Sequence, residues 1–280
     1  MKKLIFVLLV LSLSTAPLTA LAEEKTLDLQ SDADGWWNQQ SREDKMLYTG
    51  LGAAAVIGVW GMLEWDYGSA GWYWANEQWF QEDTKYGGAD KFGHFWFTYA
   101  AADGLTALYS SWGYEKDRAN IYAAWTAWTV QAVMEGMDAT SETQGFSWED
   151  MIMNSLGALS SVVFERNPKL DDLIDLKVEY VLNETPEGIF DDYSNQFYSI
   201  NLKLDGFDSL KNTWLRYVEF QAGYFSRGYN EDDQLKKRAV YAGVTLNFSR
   251  ILYEQGWDKT GKALEYLQVP YSVPKASHYL

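Results

Sequence analysis

The chain has 280 residues, 47% hydrophobic and 22% charged, with 5 prolines; this is the make-up of a folded protein with a sizeable core, and it excludes wholesale disorder, collagen and low-complexity behaviour. A formal net charge of −16 opposes binding to a phosphate backbone, so nucleic acid is not an expected partner. The absence of cysteine excludes disulfides, zinc-thiolate sites, thiol catalysis and acylation of an N-terminal cysteine, while an aromatic content of 16%, with 14 Trp, suits contact with a membrane.

Residues 1–22 read as a secretory signal, with Lys2 and Lys3 as the basic start, an apolar run over 4–13 and Ala20-Leu21-Ala22 as the cleavage site. Cleavage after Ala22 predicts an exported envelope protein, in the periplasm or on the periplasmic face of a membrane, the outer rather than the inner one. Residues 23–45 make a polar arm carrying Trp36 and Trp37. Apolar stretches at 46–63, 92–112, 119–134 and 151–164 predict four helices in a domain over 46–166. A spanning helix needs about 20 apolar residues, so the second stretch is long enough, the first is marginal, and the third and fourth are short. A shallow membrane bundle and a water-soluble bundle both fit.

Beyond Pro168 the period changes to two. Strands are expected at 178–182, 197–204, 217–226 and 240–248, the last two pairing as a hairpin across the Gly/Asn/Asp-rich loop 227–234. The fold class is therefore α+β: a bundle of about four apolar helices, then an antiparallel meander of about four strands over 167–256. Four strands cannot close a transmembrane barrel, so one apolar face needs cover from the helical half, from lipid or from a partner. The tail 257–280, with Pro270 and Pro274, is expected to be irregular or to form a short helix.

The chemistry concentrates around His94, one of only two histidines. If a helix starts near Ala89, Asp90 and His94 share one face, and the carboxylate can orient or charge the imidazole. Glu135 and Asp138 end the third apolar run, and Ser147-Trp148-Glu149-Asp150 reads as a capping box with Asn154 one turn further on. His94 as acid or base, with Asp90 and Glu135, would make a hydrolase or transferase acting on an envelope lipid. Lys91, with Ser147, Asp150 and Asn154, would hold an anionic head group. The same residues also suit a hydrogen-bonded knot that only fixes the bundle. The spacing matches no standard metal motif, and neither a metal nor a cofactor is predicted. The aromatic segment 72–80 fits an interfacial belt or a lid equally well, and His278 reads as solvated.

The ordered set Asp90-Lys91-Phe92-Gly93-His94, Glu135, Ser147-Trp148-Glu149-Asp150, Asn154 and Gly157 resembles the VanZ-like superfamily, and more closely its secreted branch, the YfiM-type predicted periplasmic proteins. The resemblance spans about 46–165, and the strand half is similar to the C-terminal extension of longer members. It implies a four-helix core that gathers Asp90, Lys91, His94, Glu135, Asp150 and Asn154, and it implies no established reaction. The chain departs from that branch's lipoprotein description by having no cysteine. The expected function is that of a membrane-associated envelope protein whose polar cluster binds a lipid head group or cell-wall precursor. The alternatives are the enzyme above, or a scaffold docking on an outer-membrane protein through Tyr224 and Val244.

Overall fold

A computed structural model describes residues 35–181, 191–229 and 235–280; the signal sequence and the polar arm as far as residue 34 lie outside the described residues. The chain divides after Lys45 into two units. In the first, the Trp36 and Trp37 rings lie 6.1 Å apart, and Ser41 Oγ accepts a hydrogen bond of 3.1 Å from the Asp44 amide, capping the start of α1 (Arg42–Glu64).

The second unit holds the remainder of α1, then α2 (Ala89–Ser111), α3 (Lys116–Asp138), α4 (Trp148–Arg166) and the short α5 (Pro168–Leu173). The four long helices have 23, 23, 23 and 19 residues. The third and fourth, at 1.5 Å per residue, run roughly 34 and 28 Å, longer than their apolar stretches, which stay too short to span. Sequence hydropathy missed these lengths because polar residues at the helix ends, Lys116 to Arg118, Glu135, Asp138, Glu149 and Asp150, belong to the helices and not to their connections. Gly157 lets α4 lie against α2: a Cβ there would stand 2.2 Å from the Phe95 carbonyl oxygen. Helix α1 buries only Gly58 and Gly61, and among the described helices it alone is long and apolar enough to cross a membrane, so the first stretch and not the second has the spanning character, α2 being interrupted by Asp90, Lys91 and Asp103.

The strand half is a five-stranded antiparallel sheet in the order β1-β2-β3-β4-β5, formed by β1 (Ile174–Tyr180), β2 (Gln196–Lys203), β3 (Val218–Arg227), β4 (Lys237–Leu246) and β5 (Lys275–Tyr279). The α+β class and the β3–β4 hairpin agree with the sequence pattern; in the hairpin Phe220 pairs with Val244 and Ala222 with Ala242. Several boundaries differ: the first strand starts at Ile174, four residues before the expected 178. Phe248 does not extend β4 but opens α6 (Phe248–Glu254), because the Asn247 side chain accepts from the Arg250 amide at 2.9 Å and caps the helix. The tail, after α7 (Asp258–Ala263), contributes the fifth strand, with His278 in it opposite Val240.

The period-two alternation is present, but much of its apolar side faces out. Ile200, Leu202, Phe220, Val240, Val244 and Leu246 are exposed, whereas Asp175, Lys177, Glu179, Asn201, Lys203, Glu219 and Gln221 are buried. The buried charges pair. Lys177 Nζ lies 2.8 Å from Glu219 Oε2 and 3.2 Å from Asp175 Oδ2, Lys203 Nζ lies 2.7 Å from Asp175 Oδ1, and Asn201 Nδ2 donates to Glu219 Oε2 at 2.9 Å. Helix α4 repeats the inversion: Trp148, Ile152, Leu156, Leu159 and Val163 make an exposed stripe at helical spacing, opposite buried Glu149, Asp150, Asn154 and Ser161. The helical half covers only part of the apolar side of the sheet: Val178, Tyr198 and Tyr224 pack with Ala89, Phe92 and Trp96, and Leu176 with Tyr99 and Phe164, while Ile200, Leu202, Phe220, Val240, Val244 and Leu246 stay exposed.

Candidate functional site

The cluster forms where the N-terminal ends of α2 and α4 meet the C-terminal end of α3. Gly87 and Gly88, with φ of 63° and 82°, turn the chain into α2 and place Asp90, Lys91 and His94 in its first two turns. Ser147 caps α4, its Oγ accepting from the Asp150 amide at 3.2 Å. The return bond of a capping box is not made by Asp150. Glu135 Oε2 from α3 accepts the Ser147 amide at 3.2 Å instead.

Two centres share this space. Lys91, 1% exposed, is the first: its Nζ lies 2.9 Å from Asp90 Oδ2 and 2.9 Å from Asp150 Oδ1, and it also donates to Glu77. Three carboxylates thus surround one ammonium, so Lys91 has no free charge for an anionic ligand, and its expected head-group role is replaced by an internal one. Burial works against the Lys91 charge, but Asp90, Asp150 and Glu77 hold its pKa above the ordinary lysine value. Burial likewise works to raise Glu77, yet the Lys91 ammonium keeps it below the usual carboxylate range.

His94 is the second centre. It does not take Asp90 as its partner, because that carboxylate is engaged by Lys91. Its Nδ1 lies 3.6 Å from Glu135 Oε1 and its Nε2 lies 3.8 Å from Asp150 Oδ2. Burial, and then the Lys91 charge, lower the imidazole pKa below its ordinary value. Burial, reinforced by the charge of Asp150, pushes Glu135 well up; burial, reinforced by Asp90, does the same to Asp150. Asn154 is wholly buried, accepting from Thr98 Oγ1 at 2.9 Å and from Gln131 Nε2 at 3.2 Å, so it ties α2, α3 and α4 together beneath the cluster. Ser147 and Asn154 thus have structural partners, whereas His94, Glu135 and Asp150 form the chemically suggestive trio.

Asp138 extends the acidic side, and burial pushes its pKa up to about 7. Because the folded value lies above the unfolded one, the stability this group supplies is complete below about pH 4 and is lost as pH rises through about 7. Asp138→Asn should flatten thermal stability against pH across that window. A variant slope equal to that of the wild type would place the titration elsewhere.

Residues 76–166 match the family model described as predicted periplasmic lipoprotein (DUF2279). The matched stretch begins just before Glu77 and contains the whole cluster. That description names an envelope location and no reaction, and it carries no VanZ-like assignment. Its lipoprotein element has no cysteine to attach to in these 280 residues. No curated protein and no solved structure matches the chain.

Glu77 is the site residue that spacing does not reveal. It lies 14 positions before Lys91 in the aromatic stretch 72–80, whose only hint is one carboxylate among rings. That stretch runs beside the loop leading into α4, with Trp74 bridging to Phe146 and the Trp79 and Trp148 rings 5.5 Å apart. Trp72 and Trp74 remain exposed. Val244 is exposed, as a docking residue should be, but Tyr224 is buried and donates its hydroxyl proton to the Gly87 carbonyl, which removes it as a contact point for a scaffold.

Proposed function

We propose that this is an exported, membrane-associated envelope protein that rests its apolar exterior against lipid and offers the His94 cluster to a lipid head group or lipid-linked cell-wall precursor. The observation that carries the reading is the inverted polarity. A sheet in water hides its apolar face, whereas a sheet against lipid turns that face outward and keeps its polar face inside. Here Lys177 and Glu219 are buried while Ile200 and Leu246, on the same sheet, are 57% and 51% exposed. Exposed Trp72, Trp74 and Trp148 around the cluster suit the headgroup level, where amphipathic rings settle. The periplasmic description of the matching family agrees with the secretory signal read at residues 1–22.

Vesicle flotation tests this reading. The purified chain should float with phosphatidylethanolamine/phosphatidylglycerol vesicles. A lysine facing hydrocarbon costs up to about 2–4 kcal/mol, so Val244→Lys with Leu246→Lys should reduce the floated fraction at least tenfold at an unchanged melting temperature. A wild-type chain that stays at the bottom of the gradient sinks the proposal.

A second reading, hydrolysis or group transfer on the same lipid, is favoured by one feature: His94 stands between two carboxylates and can carry a proton between them and a substrate. Head-group release by the wild type, lost in His94→Gln at equal thermal stability, would support it. A fully active His94→Gln would exclude it.

A further inference from the structure

We propose that His94, Glu135 and Asp150 form a binding site for a first-row divalent cation. One ligand atom from each of the three lies within 4.8 Å of the other two. They come from α2, α3 and α4, so three rigid elements fix the site.

The spacing is not that of hydrogen bonds. His94 Nδ1 is buried and makes no hydrogen bond, and the contacts of 3.6 and 3.8 Å to the two carboxylates are too long to be one. Around a metal with bonds of about 2.0–2.2 Å, neighbouring ligand atoms stand roughly 3.0–3.5 Å apart. The two contacts start from opposite ring nitrogens, and one imidazole nitrogen with one oxygen of each carboxylate spans up to 4.8 Å, so side-chain rotations that close the set by roughly 1 Å would bring all three onto one ion.

Each carboxylate is also held by one oxygen, with the other turned toward the imidazole. The Ser147 amide holds Glu135 Oε2, leaving Oε1 nearest His94; Lys91 Nζ holds Asp150 Oδ1, leaving Oδ2 nearest His94. Metal ligands are oriented by outer partners in this way. Charge points in the same direction. Lys91 is engaged by Glu77, Asp90 and Asp150, so within the cluster Glu135 and Asp138 face no cation of their own. One imidazole and two carboxylates suit zinc, manganese or iron(II), with open positions left for water or an oxygen ligand.

The inference does not depend on the lipid reading, and its test uses no lipid. The full chain in detergent, stripped with a chelator, is titrated with Co²⁺ and Zn²⁺ while absorption and heat are recorded. The expected result is one saturable Co²⁺ per chain with a visible ligand-field band, displaced by Zn²⁺, and a raised melting temperature. His94→Gln and Glu135→Gln should each weaken binding at least a hundredfold, while Asp103→Asn, an acid elsewhere in the bundle, should leave it unchanged. If either cluster variant fails to fold, the wild-type stoichiometry and band decide. Absence of saturable binding by the wild type at neutral pH, or full binding by folded His94→Gln, overturns the site.

Discussion

Lys177→Met is expected to destabilise the protein by about 3–5 kcal/mol, read as a fall in the denaturation midpoint in detergent. Lys177 is 2% exposed, and its partner Glu219 is wholly buried. Removing the ammonium leaves Glu219 with Asn201 as its remaining donor, and a buried charge without a counter-charge is far more costly than a buried pair. The double variant Lys177→Met with Glu219→Leu should regain most of the loss, since an ion pair exchanged for packed apolar side chains is close to neutral. A single variant within about 1 kcal/mol of the wild type would mean that water reaches the inner side of the sheet.

Gly157→Ala and Gly104→Ala should change stability in opposite directions. At Gly157 the added Cβ would meet the Phe95 carbonyl oxygen at 2.2 Å and Thr98 Cβ at 3.1 Å, and α2 cannot yield without moving away from α4. A loss of roughly 3 kcal/mol or more, at the upper end for overpacking, is expected. Because those two helices carry His94 and Asp150, the cluster should loosen with the bundle. Gly104, also within α2, has nothing within 4 Å of its would-be Cβ, so alanine there should stabilise by up to about 1 kcal/mol through helix propensity alone. Paired thermal melts check both signs at once. Equal effects at the two positions would refute the close α2–α4 approach.

The sequence made the elements legible and left their surroundings hidden. Hydrophobic runs located all four helices, and alternation located the β3–β4 hairpin, because both depend on local periodicity. Periodicity cannot say which face of an element is inside. Glu219 and Gln221 alternate with Phe220 and Ala222 in any medium, and only the packing shows that the polar pair is the buried one. The same limit applies to the cluster. The i,i+4 spacing of Asp90 and His94 was correct as helix geometry, but a neighbouring lysine took the carboxylate, and His94 turned to residues 41 and 56 positions away. Ser147 was readable as a cap because capping is local. Glu77 and β5 were not, since neither a single acid among rings nor a strand behind two prolines carries a period.

The sheet has two unlike edges. Along β1 the chain seals itself, the Val178 amide donating to the Tyr266 carbonyl at 3.0 Å and the Gln268 amide to the Val178 carbonyl at 2.9 Å. Along β5 the only strand partner among the described residues is β4. A main-chain amide or carbonyl stranded in hydrocarbon costs several kcal/mol, so acyl chains can lie over the flat of this sheet but cannot wrap around its β5 rim. That rim has to stay wet or be zipped to another strand. On the proposed lipid contact, the protein meets a bilayer with one side only, and its tilt against the membrane plane is set by the backbone as much as by its side chains.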